Sequence, residues 1–195
     1  MSHDILGDII EKREKIRNTH IPTWDELPTL NLYMDQLIFI LSEIFSPYTD
    51  DVPKLINKAI INNYVKLGYI PAPIKKKYSK EHIAYLVFVC SLKQVMPIGA
   101  ISALVKSLTE EVPLSEFYDS FCKAREKALI AALNEAETDI GDPEYPKTAQ
   151  TALSLAISAQ AYSIVSASVA QSLIPEDKDN AKKRLIANFK KIVLF

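Results

Sequence analysis

The chain has 195 residues, of which 48% are hydrophobic and 24% charged, and its formal net charge is −1. That is an ordinary globular profile, long enough to bury a core, and it excludes global disorder. The four glycines make no phosphate-cradling loop or dinucleotide fingerprint, and the two cysteines form no CxxC or zinc-ligand pattern.

Residues 3 to 17 read as an amphipathic helix with Ile5, Ile9, Lys12 and Ile16 on one stripe. It suits packing on the body or exchange with a partner subunit. No basic-then-apolar segment marks the N-terminus, so no signal peptide is expected and the chain is read as cytoplasmic. Residues 20 to 28 (HIPTWDELP) form a Pro-bounded connector that Trp24, the only Trp, plugs onto the core. Residues 29 to 45 are predicted as a helix with Leu30, Tyr33, Leu37, Ile40, Leu41 and Ile44 inward. Asp51 is a candidate N-cap for a helix over 53 to 67, with Pro53 in its first turn.

That helix carries Ile60, Ile61, Tyr64 and Leu67 at helical spacing and stops at Gly68, which takes the left-handed C′ conformation without steric cost. Tyr69-Ile70 is predicted as a short strand, Pro71-Ala72-Pro73 as a turn, and Ile74 to Tyr78 as the returning strand. Ser79 caps the next helix, with Glu81 in its first turn. Residues 83 to 95 are apolar on nearly every face, as a helix buried all round should be. Pro97 ends it, and a short helix follows over 98 to 108.

From 114 onward the chain reads as helical. A helix capped by Ser115 turns Phe117, Phe121, Ala124, Ala128 and Ala131 inward and ends near Glu137. Residues 139 to 146 form a rigid loop. The stretch 148 to 174 is uncharged and long enough to cross a bilayer. Gln150, Gln160, Gln171 and six serines favour a tightly packed soluble helix instead, with no membrane contact. A closing helix is predicted over 177 to 194. Cys90 and Cys122 are read as buried free thiols.

Charge is unevenly spread. Residues 50 to 95 hold eight basic and three acidic side chains, whereas residues 109 to 147 hold four basic and ten acidic. One basic module and one acidic module fit a DNA-binding head with a separate partner-facing region. The successive Lys75, Lys76 and Lys77 suit phosphate neutralisation and equally suit a solvated turn. Adjacent Asn62 and Asn63 are poor helix formers whose amides can pair bidentately with adenine, and they can also bond locally to backbone. No nucleophile elbow, HExxH or ligand cluster is present. His3, His20 and His82 are scattered, so neither an enzyme nor a metal site or cofactor is expected.

The segments Asn62–Gly68, Tyr69-Ile70-Pro71, Tyr78–Ile83 and Leu92–Ile101 resemble the winged helix-turn-helix of the mercury-resistance-regulator (MerR-like) superfamily. The stretch 23 to 108 is similar to an uncharacterised bacterial family assigned to that fold. The resemblance implies a mainly α-helical protein with a small β-hairpin wing. Its parts would be an N-terminal helix and connector (1–28), a winged helix-turn-helix domain (29–110) and a C-terminal helical dimerisation or sensing region (111–195). It further implies a sequence-specific transcriptional regulator that binds double-stranded DNA as a homodimer and answers to a small-molecule or protein effector at the C-terminal region. The DNA-binding residues would be Lys58, Asn62, Asn63, Tyr64, Lys66, Lys75, Lys76, Lys77 and Tyr78, though Tyr64 equally suits the core. Two departures stand out. Asn62 replaces the usual Arg, and the wing is several residues shorter. The same fold also admits a protein-interaction module or anti-regulator. A helical enzyme or small-ligand binder in the C-terminal half, with an apolar pocket near Tyr118, Tyr145 or Tyr162, is a third option.

Overall fold

A computed structural model describes residues 5–49, 51–141 and 148–172. In chain order the helices are α1 (Ile5–Arg17), α2 (Met34–Phe45), α3 (Val52–Leu55), α4 (Lys58–Lys66), α5 (Lys80–Leu92), α6 (Ile98–Glu111), α7 (Leu114–Gly141) and α8 (Thr148–Gln171), with a 3-10 turn at Trp24–Glu26. The protein is therefore mainly α. The predicted closing helix over 177 to 194, the end of the 139 to 146 loop and Tyr145 lie outside the described residues.

Helix α5 is the post around which the head is built. His82, Ile83, Ala84, Leu86, Val87, Phe88, Val89 and Cys90 are all buried, which a helix apolar on every face requires. Leu37, Leu41, Ile44 and Phe45 of α2, Ile61 and Tyr64 of α4, and Ala100, Ile101 and Val105 of α6 complete the same core. Each such aliphatic or aromatic side chain contributes about 1.5–3 kcal/mol on burial. The first turns of α7 belong here too. Phe88 meets Phe117 at 4.8 Å and Phe121 at 4.9 Å between ring centroids.

The connector is closed onto α7 by Trp24, as its apolar bulk suggests. The Trp24 backbone N–H donates to Asp119 Oδ1 (2.7 Å), the Tyr118 hydroxyl donates to the Pro22 carbonyl (2.9 Å), and the two rings meet edge-on at 6.0 Å. Helix α1 lies along α7, with Ile16 fully buried and Arg13 ion-paired to Glu137.

Five expectations are corrected. Helix α7 runs on to Gly141, past the predicted end near Glu137 and into the predicted loop, and Ala124, Ala128 and Ala131 are exposed rather than inward. The helix predicted over 53–67 is two helices, because Ile56 is extended (φ −146°, ψ 131°). Asn57 causes the break: its Nδ2 donates to the Pro53 carbonyl (2.9 Å), and its Oδ1 accepts from the Ile60 N–H (3.0 Å) as the cap of α4. The helix predicted from 29 begins only at Met34, leaving Leu30 and Tyr33 exposed rather than inward. No strand ladder forms a wing among the described residues. Two isolated antiparallel bridges stand there instead, Leu32 with Tyr78 and Ile74 with Lys77. Finally, among the described residues α8 is not tightly packed. It touches α6 and α7 and buries Thr151 and Ala170, yet its most apolar stretch is unburied. With mean hydropathy 1.4 it is long and apolar enough to cross a membrane by length and composition.

Candidate nucleic-acid interface

Helix α4 divides cleanly into two faces. Ile61 and Tyr64 point into the core, while Lys58, Ala59, Asn62, Asn63 and Lys66 are exposed. Lys58, Asn62 and Lys66 recur every four residues and so form one stripe, with Asn63 beside it. Asn57, not Asn62 or Asn63, supplies the cap, so both exposed amides are free of that task. The helix ends in a Schellman motif. Gly68 sits at φ +72°, its N–H donates to the Val65 carbonyl (3.1 Å), and the Tyr69 N–H donates to the Tyr64 carbonyl (2.9 Å).

The basic hairpin is a two-residue turn. Ile74 and Lys77 exchange both backbone hydrogen bonds (3.1 and 2.9 Å), and Lys75 and Lys76 between them have φ of 49° and 62°. Positive φ at both central positions is a type I′ turn, which normally takes Asn and Gly because lysine's Cβ is crowded there. Tyr78 then pairs with Leu32 through two 2.8 Å backbone bonds, which ties the turn to the residue pair preceding α2.

This pairing brings the hairpin and α4 together. The Lys77 ammonium sits 5.1 Å from the centroid of the Tyr33 ring, and Tyr33 is the N-cap of α2. Two residues on, Asp35 Oδ1 lies 2.6 Å from Lys58 Nζ at the start of α4. The lysine turn and the amide-bearing helix thus flank one helix N-terminus. Lys75 and Lys76 are exposed at the turn and Lys66 at the far end of α4, and Lys77 is half-buried.

Two candidate residues are not on this surface. Tyr64 and Tyr78 are core side chains, both over nine-tenths buried, and burial raises the pKa of both phenols, with the Cys90 thiol adding to the shift at Tyr64. Tyr78 meets the His82 ring edge-on at 5.3 Å. The His82 Nδ1 accepts from the Ser79 N–H (3.0 Å), so imidazole takes the place Glu or Gln usually holds in a capping box. Two lysines of the basic module also have structural work. The Lys80 ammonium lies 4.6 Å over the Trp24 ring, and Lys93 donates to the Leu55 carbonyl that ends α3.

Sequence reasoning missed Tyr33 and Ile74, both exposed beside the lysines. The available signal was Tyr33 followed three residues later by Gln36, whose side chain accepts from the Tyr33 N–H (2.9 Å) as a capping pair does. Of the tyrosines considered for a ligand pocket, Tyr118 is fully buried in the core and Tyr162 is exposed on α8.

The family model for the Domain of unknown function (DUF1836) matches residues 22–121. Its two ends are the segments joined by the Pro22–Tyr118 and Trp24–Asp119 bonds, so the matched stretch closes on itself. No curated protein matches the chain, and neither does any solved structure.

Proposed function

The chain belongs to the DUF1836 family, and from its surface chemistry we propose that it is a sequence-specific DNA-binding transcriptional regulator. In this reading α4 enters the major groove and the lysine turn holds the adjacent backbone, in the manner of a MerR-like winged helix-turn-helix with a minimal wing. One observation carries the proposal. The first turn of α4, the helix that exposes Asn62 and Asn63, and the Lys75–Lys77 turn both touch the N-terminal turn of α2, through Lys58–Asp35 and Lys77–Tyr33, which supports a reading in which amides meet base edges and ammonium groups meet phosphates of one duplex.

The test is duplex binding by the full chain as salt is varied. If Lys58, Lys66, Lys75, Lys76 and Lys77 each neutralise one phosphate, log affinity falls against log salt with a slope of about −4.5. Affinity then drops roughly 500-fold between about 50 and 200 mM salt. Changing Lys75, Lys76 and Lys77 to Ala brings the slope to about −1.8 and the drop to roughly 12-fold. Changing Asn62 and Asn63 to Ala leaves the slope intact and flattens discrimination among random duplexes, by about 1–3 kcal/mol per lost amide–base pair. Absence of duplex binding at low salt rejects the proposal.

A second reading has its own support. Leu67 and Ile74 are exposed apolar side chains near this face, which suits a protein partner. It predicts capture of a protein with no salt-steep duplex binding.

A further inference from the structure

Between α6 and the segment that follows α4 lies a cleft of about 450 Å³ that DNA binding leaves unused. Its size falls in the range of roughly 300–1,000 Å³ common to small-ligand sites. The floor is apolar: Val65 from the last turn of α4, then Ile70, Pro71 and Ala72. Ile70 is buried, so the floor is anchored in the core of the head. Polar side chains reach the cleft from three sides: Tyr69 beyond α4, Tyr85 of α5, and Ser102 and Lys106 of α6. Among the described residues neither phenol hydroxyl, nor the Ser102 hydroxyl, nor the Lys106 ammonium has a hydrogen-bond or ion-pair partner. Thr109 on the same wall differs, because its hydroxyl turns back onto the Val105 and Lys106 carbonyls (2.9 and 3.1 Å). An apolar floor under convergent, unengaged polar groups is the arrangement of a ligand site.

We infer that this cleft binds a small aromatic carboxylate. Charge selects the carboxylate. Lys106 is the one charged side chain lining the cleft, and Ser102 stands one turn before it on the same face of α6. An ammonium and a hydroxyl together offer a carboxylate a charge-assisted hydrogen bond and a neutral one. The carboxylates nearest in sequence, Glu81 one turn before Tyr85 and Glu110 one turn after Lys106, are exposed and do not line the cleft. Shape selects the aromatic ring. Tyr69 and Tyr85 present flat half-buried rings beside Pro71, and a ligand ring meets such surfaces offset-stacked or edge-on. The Tyr85 ring is already held edge-on against Phe88 at 6.4 Å, so little of its freedom remains to be lost on binding. The cleft lies within residues 22–121, apart from the C-terminal region where the resemblance would put an effector. The inference stands whether or not α4 reads DNA.

The experiment titrates the full chain with three probes of matched size, phenylacetate, its neutral amide and cyclohexylacetate, and follows the methyl resonances of Val65, Ile70 and Ala72. Phenylacetate is expected to shift all three with a Kd of about 1 mM or tighter, as suits so small a ligand. The amide, which lacks the charge, is expected to bind about ten-fold more weakly. Cyclohexylacetate, which lacks the flat ring, is also expected to bind more weakly than phenylacetate. K106A, at an exposed position and checked for unchanged helicity, is expected to bring the acid down to the level of the amide, and K106R to restore the preference. No phenylacetate binding at about 10 mM, shifts confined to other methyl groups, an amide or a cyclohexyl acid that binds as tightly, or a K106A variant that keeps the preference each overturns the proposal. The comparison of the three probes on the wild-type chain stands as a test even if a variant fails to fold.

Discussion

Lysine is a costly residue at the tip of the basic hairpin, and the cost can be measured. Lys75 and Lys76 hold φ of 49° and 62°, in the left-handed region. Each incurs about 1–2 kcal/mol from the contact between Cβ and the carbonyl oxygen. The substitution K75N/K76G supplies the pair that type I′ turns prefer. Glycine gives back roughly 0.5–1 kcal/mol through its greater freedom in the unfolded chain. The net gain is about 1 kcal/mol, or roughly 2–4 °C in Tm for a chain of this size. Ile74 and Lys77 keep their two backbone bonds, so the turn itself is preserved. Thermal unfolding by far-UV circular dichroism reads the gain. Under the regulator reading the same variant binds duplex DNA more weakly, with a salt slope shallower by about 1.8. A variant less stable than the wild type refutes the strain argument. A more stable variant with undiminished duplex affinity removes the turn from the interface.

Other expectations follow from the core. Burial lowers the His82 pKa below 6.5, with Glu81 and the Pro71 and Ala72 carbonyls opposing the shift. The unfolded chain therefore binds the extra proton first on acidification, so this contribution is complete above about pH 6.5 and is lost as pH falls towards the folded pKa. Urea unfolding between pH 7.5 and 5.5 should show that slope, and H82Q, which can keep the capping box with Ser79, should flatten it; an unchanged slope would assign it to other groups. Burial pushes the Cys90 thiol up to about 12 and the Cys122 thiol up to about 11. An aromatic disulfide reagent at mildly alkaline pH should accordingly label them no faster than the chain unfolds, and two rapidly titrating thiols would contradict this. Tyr118→Phe removes the hydroxyl bonded to the Pro22 carbonyl and should cost about 1 kcal/mol in a urea midpoint measurement. No change would mean that the connector is held by the aromatic contact and the Asp119 bond alone.

What could be read from the residues depended on whether the deciding interaction was local. Helix α5 was legible because a helix apolar on all sides has one place to go. The stop at Gly68 was legible because the Schellman motif needs only its own last turn. The break at Ile56 was local too, but the apolar period hid it, since Asn57 both closes the turn on Pro53 and caps α4. The stripe on α8 misled for a different reason: composition reports that a helix is apolar, not how much of it the other described elements cover.

The misplaced strand teaches the most. Tyr69 and Ile70 have side chains suited to a strand, but the Tyr69 N–H is already bonded to the Tyr64 carbonyl, and Pro71 and Pro73 have no N–H to offer. The alternate positions 69, 71 and 73 therefore have no donor to offer along one edge, and Tyr78 takes its backbone partner from Leu32, forty-six positions upstream of it in the chain. That long-range exchange sets the lysine turn beside the N-terminus of α2, where Lys58 of α4 is also held by Asp35. The candidate interface therefore depends on which backbone donors the helix end and the prolines leave unused, and motif spacing alone carries no record of that.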